Sequence, residues 1–344
     1  MKVVTTILST SAIVLSLAGA SSVPVFADES AQYLAVIDAG SSGTRLTLYG
    51  DDPTTLVPRE VTKVKTNTKG LSTFATAPGQ AGAGAVTPLL EQLDAYLSAQ
   101  GIARADVPVA LLATAGMRNV RRDDRAAAQA VFDSTAAAIA ASGHPVADNR
   151  ILPAVQEATL AWLDANVLAG TLDRTRGGIG IIEVGGASAQ VAFRSPVDTG
   201  QAVRQVRVEG RVIPVVAVSY LGLGGNDSLS LMQAENDAGS FCFPNNAAGA
   251  PPDTYVSRSA RPVDSSTARY SWSRCATAYD WTIATVGEER TVAAAVPPSR
   301  LRDLPGFDAA NFVGLGGAPF TLGDLGVADA ANEKTALLGA TTST

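Results

Sequence analysis

Apolar and polar positions along this chain switch repeatedly between strand-like and helix-like spacing. Residues 33–37 form a short apolar run suited to a buried strand, and 45–49 alternate polar and apolar. Leu89, Leu90, Leu93 and Leu97 recur at helical spacing within 88–97. The run 107–113 predicts another buried strand, and the Ala-rich stretch 121–141 predicts a helix. Residues 153–168 again carry helical spacing, with Pro153 suited to the first turn. The span 178–193 predicts strand, turn and strand, and 213–221 a strand entering a Gly-rich turn. Three stretches read as breaks. Residues 75–85 are Ala/Gly-rich and expected to form a mobile loop; 245–264 are rich in Pro, Ser and Asn; the tail after Ala328 is expected to hold a short final helix and a frayed end. Strands and helices interleaved in this way predict an α/β architecture.

An internal repeat sharpens the picture. Residues 35–48 and 180–193 share one plan: an apolar strand, a carboxylate, a turn of small residues, then an alternating strand. Asp38 aligns with Glu183 and Gly40 with Gly185, 145 residues apart, about the length of one domain. Two related domains, each presenting a strand–turn–strand loop to a shared cleft, are expected.

Composition narrows the chemistry. The 344 residues suffice for one large or two ordinary domains. With 26 Lys and Arg against 32 Asp and Glu, the net charge of −6 argues against a broad nucleic-acid-binding surface. The single histidine, His144, excludes a His-cluster metal site and is expected in a loop before Pro145 with no role. Two cysteines exclude four-thiolate zinc or iron–sulfur centres. Lys2, the apolar stretch 7–18 and the small residues of Val25-Phe26-Ala27 read as a signal peptide over 1–27, cleaved after Ala27. An uncleaved anchor is the alternative, but the apolar core is shorter than the ~18–20 residues of a span. A secreted or periplasmic protein, off the membrane after cleavage and monomeric, is expected. Export favours a Cys242–Cys275 disulfide over two separate thiols. Closing that loop would contribute about 3 kcal/mol on the chain-entropy account.

The paired turns suit phosphate. A strand-end carboxylate repels phosphate directly but can hold a divalent cation that meets it. The small residues let the chain turn tightly and aim N–H groups inward. Ser41, Ser42, Thr44 and Ser188 add hydroxyls, and Arg45 adds a fixed charge. A single such turn is a weak signal, since Gly/Ser-rich hairpins are common; two matched copies are stronger. A G-x-x-x-x-G-K-[ST] motif is absent, and no G-x-G-x-x-G opens a helix after a predicted strand.

These residues resemble the nucleoside triphosphate diphosphohydrolases, the apyrase family. Residues 38–45 (DAGSSGTR) are similar to that family's first motif in full, and 113–118 (ATAGMR) to its second. Gln156-Glu157, with Trp162 and Asn166, resembles the third, and 183–190 (EVGGASAQ) the fourth. Residues 219–224 resemble the stretch that follows it, and Cys242-Phe-Pro a family cysteine turn. The resemblance covers roughly 33–325. It implies two RNase H-like lobes of the actin, hexokinase and acetate kinase type with an interlobe cleft. Lobe I is then expected over 28–150 and lobe II over 151–324, with 325–344 free to return to lobe I. It also implies hydrolysis of nucleoside tri- and diphosphates to monophosphate and phosphate, with Mg²⁺ or Ca²⁺ and a directly attacking water. Carried over residue by residue, Glu157 takes the place of the general base, and Ser188 and Gln190 those of groups positioning water and metal. Asp38 and Glu183 take those of carboxylates binding metal through water. The phosphate-binding set becomes Ser41, Ser42, Gly43, Thr44 and Arg45, Thr114 and Arg118 beside the cleft, and Gly185, Gly186 and Ala187. The chain departs from the family at Glu183, where Asp is usual, at Ala158 and Ala189, where Gly and Thr are common, and at 311–317, which lack the usual aromatic pair.

Read without the resemblance, Glu157 is a solvated acid near a helix N-terminus, where the dipole favours it. Asp38 and Glu183 are strand-end acids capping turns, Thr114 a turn hydroxyl, and Arg118 a surface charge near Arg121 and Arg122. Trp162 reads as core. Tyr220, Trp272, Phe312 and Phe320 read as packing residues before base-stacking ones. Two rival functions remain: an exopolyphosphatase-like hydrolase on the same fold, and a non-catalytic nucleotide-binding surface protein.

Overall fold

The computed structural model describes residues 32–51, 58–64, 66–172, 178–208, 210–236, 277–278, 280–284 and 296–316. The segment 1–27, Cys242 and Cys275, Trp272, Phe320 and the stretch 325–344 lie outside the described residues.

Two five-stranded mixed sheets carry the fold. The first is built from β1 (Tyr33–Ala39), β2 (Thr44–Gly50), β3 (Arg59–Lys63), β4 (Val109–Ala113) and β5 (Val146–Ile151), in the order β3-β2-β1-β4-β5. The pairs β1/β2 and β2/β3 are antiparallel; β1/β4 and β4/β5 are parallel. The second sheet is built from β6 (Ile179–Val184), β7 (Ser188–Arg194), β8 (Val203–Val208), β9 (Arg211–Leu221) and β10 (Asn311–Gly316), in the order β10-β6-β7-β9-β8. Only β10 runs parallel to its neighbour. Read from β9, the order β9-β7-β6-β10 repeats β3-β2-β1-β4, with β8 as an added edge strand. The repeat seen in the sequence is therefore a repeat of topology: three antiparallel strands in the RNase H-like order, followed by the parallel β4 and β5 in the first sheet and by β10 alone in the second.

The apolar spacing explains the layers. Helix α1 (Thr87–Gln100) buries Leu89, Leu90, Leu93 and Leu97 against the first sheet's Leu46 and Leu48. It ends at Gly101, whose φ of 71° suits glycine. Helix α4 (Ala154–Leu168) lays Trp162 and Leu163 on Ile181, Ala192 and Val215 of the second sheet. The sheet's opposite face packs Phe193 edge-on to Phe307 and Phe312, both with centroids 5.7 Å away.

Three expectations are corrected. Residues 75–85 are not a mobile loop. They run through short helical turns at Pro78–Gln80 and Gly82–Val86 into α1, with Ala81 and Ala85 fully buried. Their small residues serve close packing: a Cβ on Gly82 would lie 2.4 Å from the Ser134 carbonyl oxygen. Ser134 Oγ also donates to the Gly79 carbonyl and accepts from the Gly82 amide. The helix expected over 121–141 is two helices, α2 (Ala115–Asp123) and α3 (Arg125–Ala141). Asp124 separates them because its carboxylate caps the Ala127 amide at 2.9 Å. His144 lies in a loop but has a structural role. It is buried, with Nδ1 2.8 Å from the Val107 carbonyl and Nε2 2.9 Å from Asp94.

Candidate active site between the two hairpin turns

Equal register puts equivalent side chains at equivalent places. In the first hairpin Asp38 pairs across to Arg45; in the second Glu183 pairs across to Gln190. Both carboxylates stand near the end of a strand, beside a turn of Gly, Ser and Ala.

Each turn is held from behind by the segment after the third antiparallel strand. In the first, Thr44 and Thr68 exchange backbone hydrogen bonds, and a Cβ on Gly70 would lie 2.6 Å from the Ser41 carbonyl oxygen. In the second, the Gly222 amide donates to Ala187 and the Gly225 amide to Gly185; a Cβ on Gly224 would lie 2.3 Å from the Ala187 nitrogen. Only glycine permits these approaches. The two turns also approach each other, since a Cβ on Gly186 would meet Ser41 Oγ at 2.4 Å.

Helices α2 and α4 then deliver side chains to the space between. Strand β4 ends at Ala113, and Thr114 opens α2, its amide donating to the Ala39 carbonyl. Strand β5 leads through Leu152 and Pro153 into α4, which places Glu157 in its first turn. Pro153 is the residue before the helix rather than within it. Arg118 reaches from α2 to Glu157, with Nη1 2.7 Å from Oε2. The same Nη1 donates to the Leu152 carbonyl at 3.1 Å, and Nη2 donates to Ser188 Oγ at 3.0 Å. Gln190 Nε2 lies 2.6 Å from Ser188 Oγ, 3.3 Å from Glu157 Oε2 and 3.2 Å from Ser219 Oγ. Among the described residues no protein donor meets Glu157 Oε1.

Electrostatics mark this cluster. Burial pushes the Glu157 carboxyl up; Arg118 opposes that, and Asp38 adds to it. Burial first, then Glu157 and Asp38, push Glu183 up to about 8 against the pull of Arg118. Glu183 Oε2 is buried with no hydrogen-bond partner. Three carboxylates facing one guanidinium hold excess negative charge, which fits a cation. Among the described residues no three Asp, Glu, His or Cys side chains gather to ligate an ion directly. The orphaned Glu183 oxygen, with Asp38 nearby, fits a hydrated divalent ion.

A cavity of about 320 Å³ opens beside the turns, lined by Ser41, Ser72, Gly116, Asn119, Gly186 and Asn226, among others. Asn119 Nδ2 donates to Asp227 Oδ2 at 2.9 Å along its wall, joining α2 to α5 (Gly225–Asn236).

The structure thus gathers Arg118, Glu157, Ser188 and Gln190 by direct contacts, with Asp38 and Glu183 close enough to act on them electrostatically. Ser41, Gly186 and Ala187 line the adjoining cavity, and Ser42 and Gly185 are exposed on their turns. Gly43 is buried, a Cβ there meeting the Thr68 carbonyl oxygen at 3.3 Å. Thr114 is half-buried at the head of α2. Arg45 is half-exposed and 3.7 Å from Asp38. Thr44 is a correction: it is fully buried, its hydroxyl donates to the Lys69 carbonyl and its amide to Thr68, so it has no group left for phosphate. Arg118 is a second correction, to the surface charge that the residues alone suggested, because its side chain is only 6% exposed. Asn166 ties the end of α4 to Ile179 and Thr171. Trp162 and Tyr220 are buried, with the Tyr220 hydroxyl donating to the Val296 carbonyl, and Phe312 packs on Phe193. Sequence reasoning missed the Asn119–Asp227 bridge and the roles of Gly70 and Ser219. For Ser219 the available signals were the resemblance over 219–224 and the period-2 pattern of β9, which places it opposite Gln190.

Comparison with known proteins shows the family. Residues 25–247 match the model of the GDA1/CD39 (nucleoside phosphatase) family. The chain is 28% identical over 217 residues to Nucleoside-triphosphatase ntp-1 of Caenorhabditis elegans, covering 58% of this chain and 39% of that protein. It is 29% identical over 222 residues to Probable apyrase 1 of rice (Oryza sativa subsp. japonica), covering 60% and 45%. The chain spans less than half the length of these curated relatives. A crystal structure of nucleoside triphosphate hydrolases from Neospora caninum aligns with a TM-score of 0.40 and 22% identity, over 58% of this chain and 46% of the other.

Proposed function

The chain belongs to the GDA1/CD39 (nucleoside phosphatase) family, and from that premise we propose that it hydrolyses nucleoside tri- and diphosphates to the monophosphate and inorganic phosphate. In this reading a water attacks the terminal phosphorus, the bridging P–O bond breaks toward the nucleotide, and the water's proton passes to Glu157. One observation carries it: a half-buried carboxylate, fixed through one oxygen by Arg118 and Gln190, keeps its second oxygen clear of protein donors beside two phosphate-suited turns. Ser188 and Gln190 orient the water. The turn residues Ser41, Ser42, Gly185, Gly186 and Ala187 hold phosphate oxygens. Asp38 and Glu183 would hold Mg²⁺ or Ca²⁺ through water, and the ion would supply charge neutralisation at the phosphate. Export after cleavage at Ala27 belongs to the same proposal, and N-terminal sequencing of the secreted protein tests it.

The test is phosphate release from ATP, ADP, UDP, GDP, AMP and polyphosphate, with Mg²⁺, Ca²⁺ or EDTA. Release from di- and triphosphates but not AMP is expected, abolished by EDTA. Glu157→Gln lowers turnover at least ~100-fold, the scale of losing a general base. A folded, metal-supplied protein releasing nothing from any nucleotide would refute the reading; release from polyphosphate alone would move it to that substrate.

A further inference from the structure

Arg118 was expected beside a phosphate, yet its geometry assigns it another task. We propose that Arg118 is a positioning residue: from α2 it fixes the Glu157 carboxylate and polarises the Ser188 hydroxyl, and it does not bind the substrate. The inference rests on the hydrolytic reading above.

Hydrogen-bond accounting carries the argument. A guanidinium has five N–H donors. Three are spent inside the protein, on the Leu152 carbonyl, on Glu157 Oε2 and on Ser188 Oγ. Two remain, on Nε, which is buried with no partner, and on Nη2; with the side chain only 6% exposed, it is burial that keeps them from a bound anion. At the receiving end, Glu157 Oε2 accepts from Arg118 Nη1 and Gln190 Nε2, which turns Oε1 toward water. Ser188 Oγ accepts from Arg118 Nη2 and Gln190 Nε2. Both acceptor positions of that hydroxyl are filled, so its proton is left to donate to an oxygen in the cleft. One buried cation thereby sets the base and the donor together. The backbone bond to Leu152 anchors it at the junction between β5 and α4.

The experiment compares the wild type with Arg118→Met, Arg118→Lys, Glu157→Gln and the Met/Gln double variant, each as full chain with saturating Mg²⁺. Arg118→Met is expected to lower kcat about 10–100-fold, the range for a hydrogen bond to a charged group, with KM within about threefold. Arg118→Lys recovers part of kcat by restoring a donor to Glu157. In the Glu157→Gln background Arg118→Met costs little more, because the two act as one unit. A KM rise that accounts for the whole loss in Arg118→Met, or losses that multiply in the double variant, would overturn the inference in favour of a phosphate contact. Denaturant midpoints of the same four proteins give a readout independent of turnover. The double variant should lose less stability than the two singles together; additive losses would sink the inference whatever the activity. Coupled stability in a protein that hydrolyses no nucleotide would bring down the hydrolytic reading alone.

Discussion

The two hairpins are copies in register that differ in charge. In the first, the residue across from the carboxylate is Arg45, which neutralises Asp38 locally in a half-exposed pair. In the second it is Gln190, which carries no charge, so Glu183 stays buried and uncompensated while the amide reaches Glu157 and Ser188. A duplicated scaffold thus divides the labour. One turn carries a half-exposed ion pair; the other holds a buried carboxyl that resists ionisation and carries the polar network. The cross-strand partner, Arg45 in one and Gln190 in the other, marks the division.

Breaking the network should cost most. Gln190→Met keeps the shape, removes the amide, and is expected to lower kcat about 10–100-fold, measured by initial phosphate release. If the loss is under twofold, the second hairpin has no special share in the chemistry. Next come the glycines behind each turn. Gly224→Ala must push against backbone at 2.3 Å and Gly70→Ala at 2.6 Å. Each is expected to lose about 1–3 kcal/mol in urea denaturation, the cost of overpacking. Comparable losses would show the two buttresses to be equivalent parts of the repeat.

Glu183 gives a smaller, pH-dependent difference. Its folded-state value lies near 8, above the 4.5 of an ordinary Glu, so the folded protein binds the extra proton between them. Stability of the metal-free protein from this group is full below about 4.5 and is lost as pH rises through about 8. The melting temperature should fall over that window by several degrees, at ~2–4 °C per kcal/mol. Glu183→Gln should flatten the fall, and so should added Mg²⁺ or Ca²⁺. An unchanged slope in the variant would assign the dependence to other groups. The smallest effect is expected at Arg45→Gln, which makes the first hairpin resemble the second. An exposed pair is worth ~0–1 kcal/mol, so KM for nucleotide should rise less than about fivefold.

Much of this was legible beforehand for a physical reason. Strands β1 and β6, and the leucine stripe of α1, bury one face or both, and burial writes a period into the sequence. The Asp38/Glu183 correspondence was visible because the turns kept their length. What lacked a local signal stayed hidden. Residues 75–85 look like a loop because close packing on α3 demands small side chains, and flexible chains use the same ones. Thr44 looks like a donor to phosphate until Lys69, 25 residues on, claims its hydroxyl. Asn119 and Asp227 are 108 positions apart, and no spacing rule joins them.

Arg118 also bears on how the chain comes together during synthesis. The first sheet, complete by Ile151, precedes both Glu157 and Ser188 in the chain. Until those residues are made, the Arg118 guanidinium has only the Leu152 carbonyl to meet and must stay largely hydrated, because burying a charge without a counter-charge is costly. The emerging first half therefore keeps one wet, positively charged seat for the second half to dock on. Losing that docking would silence the site while leaving both sheets intact, so activity should vanish earlier in a slow unfolding than the far-ultraviolet signal of the strands.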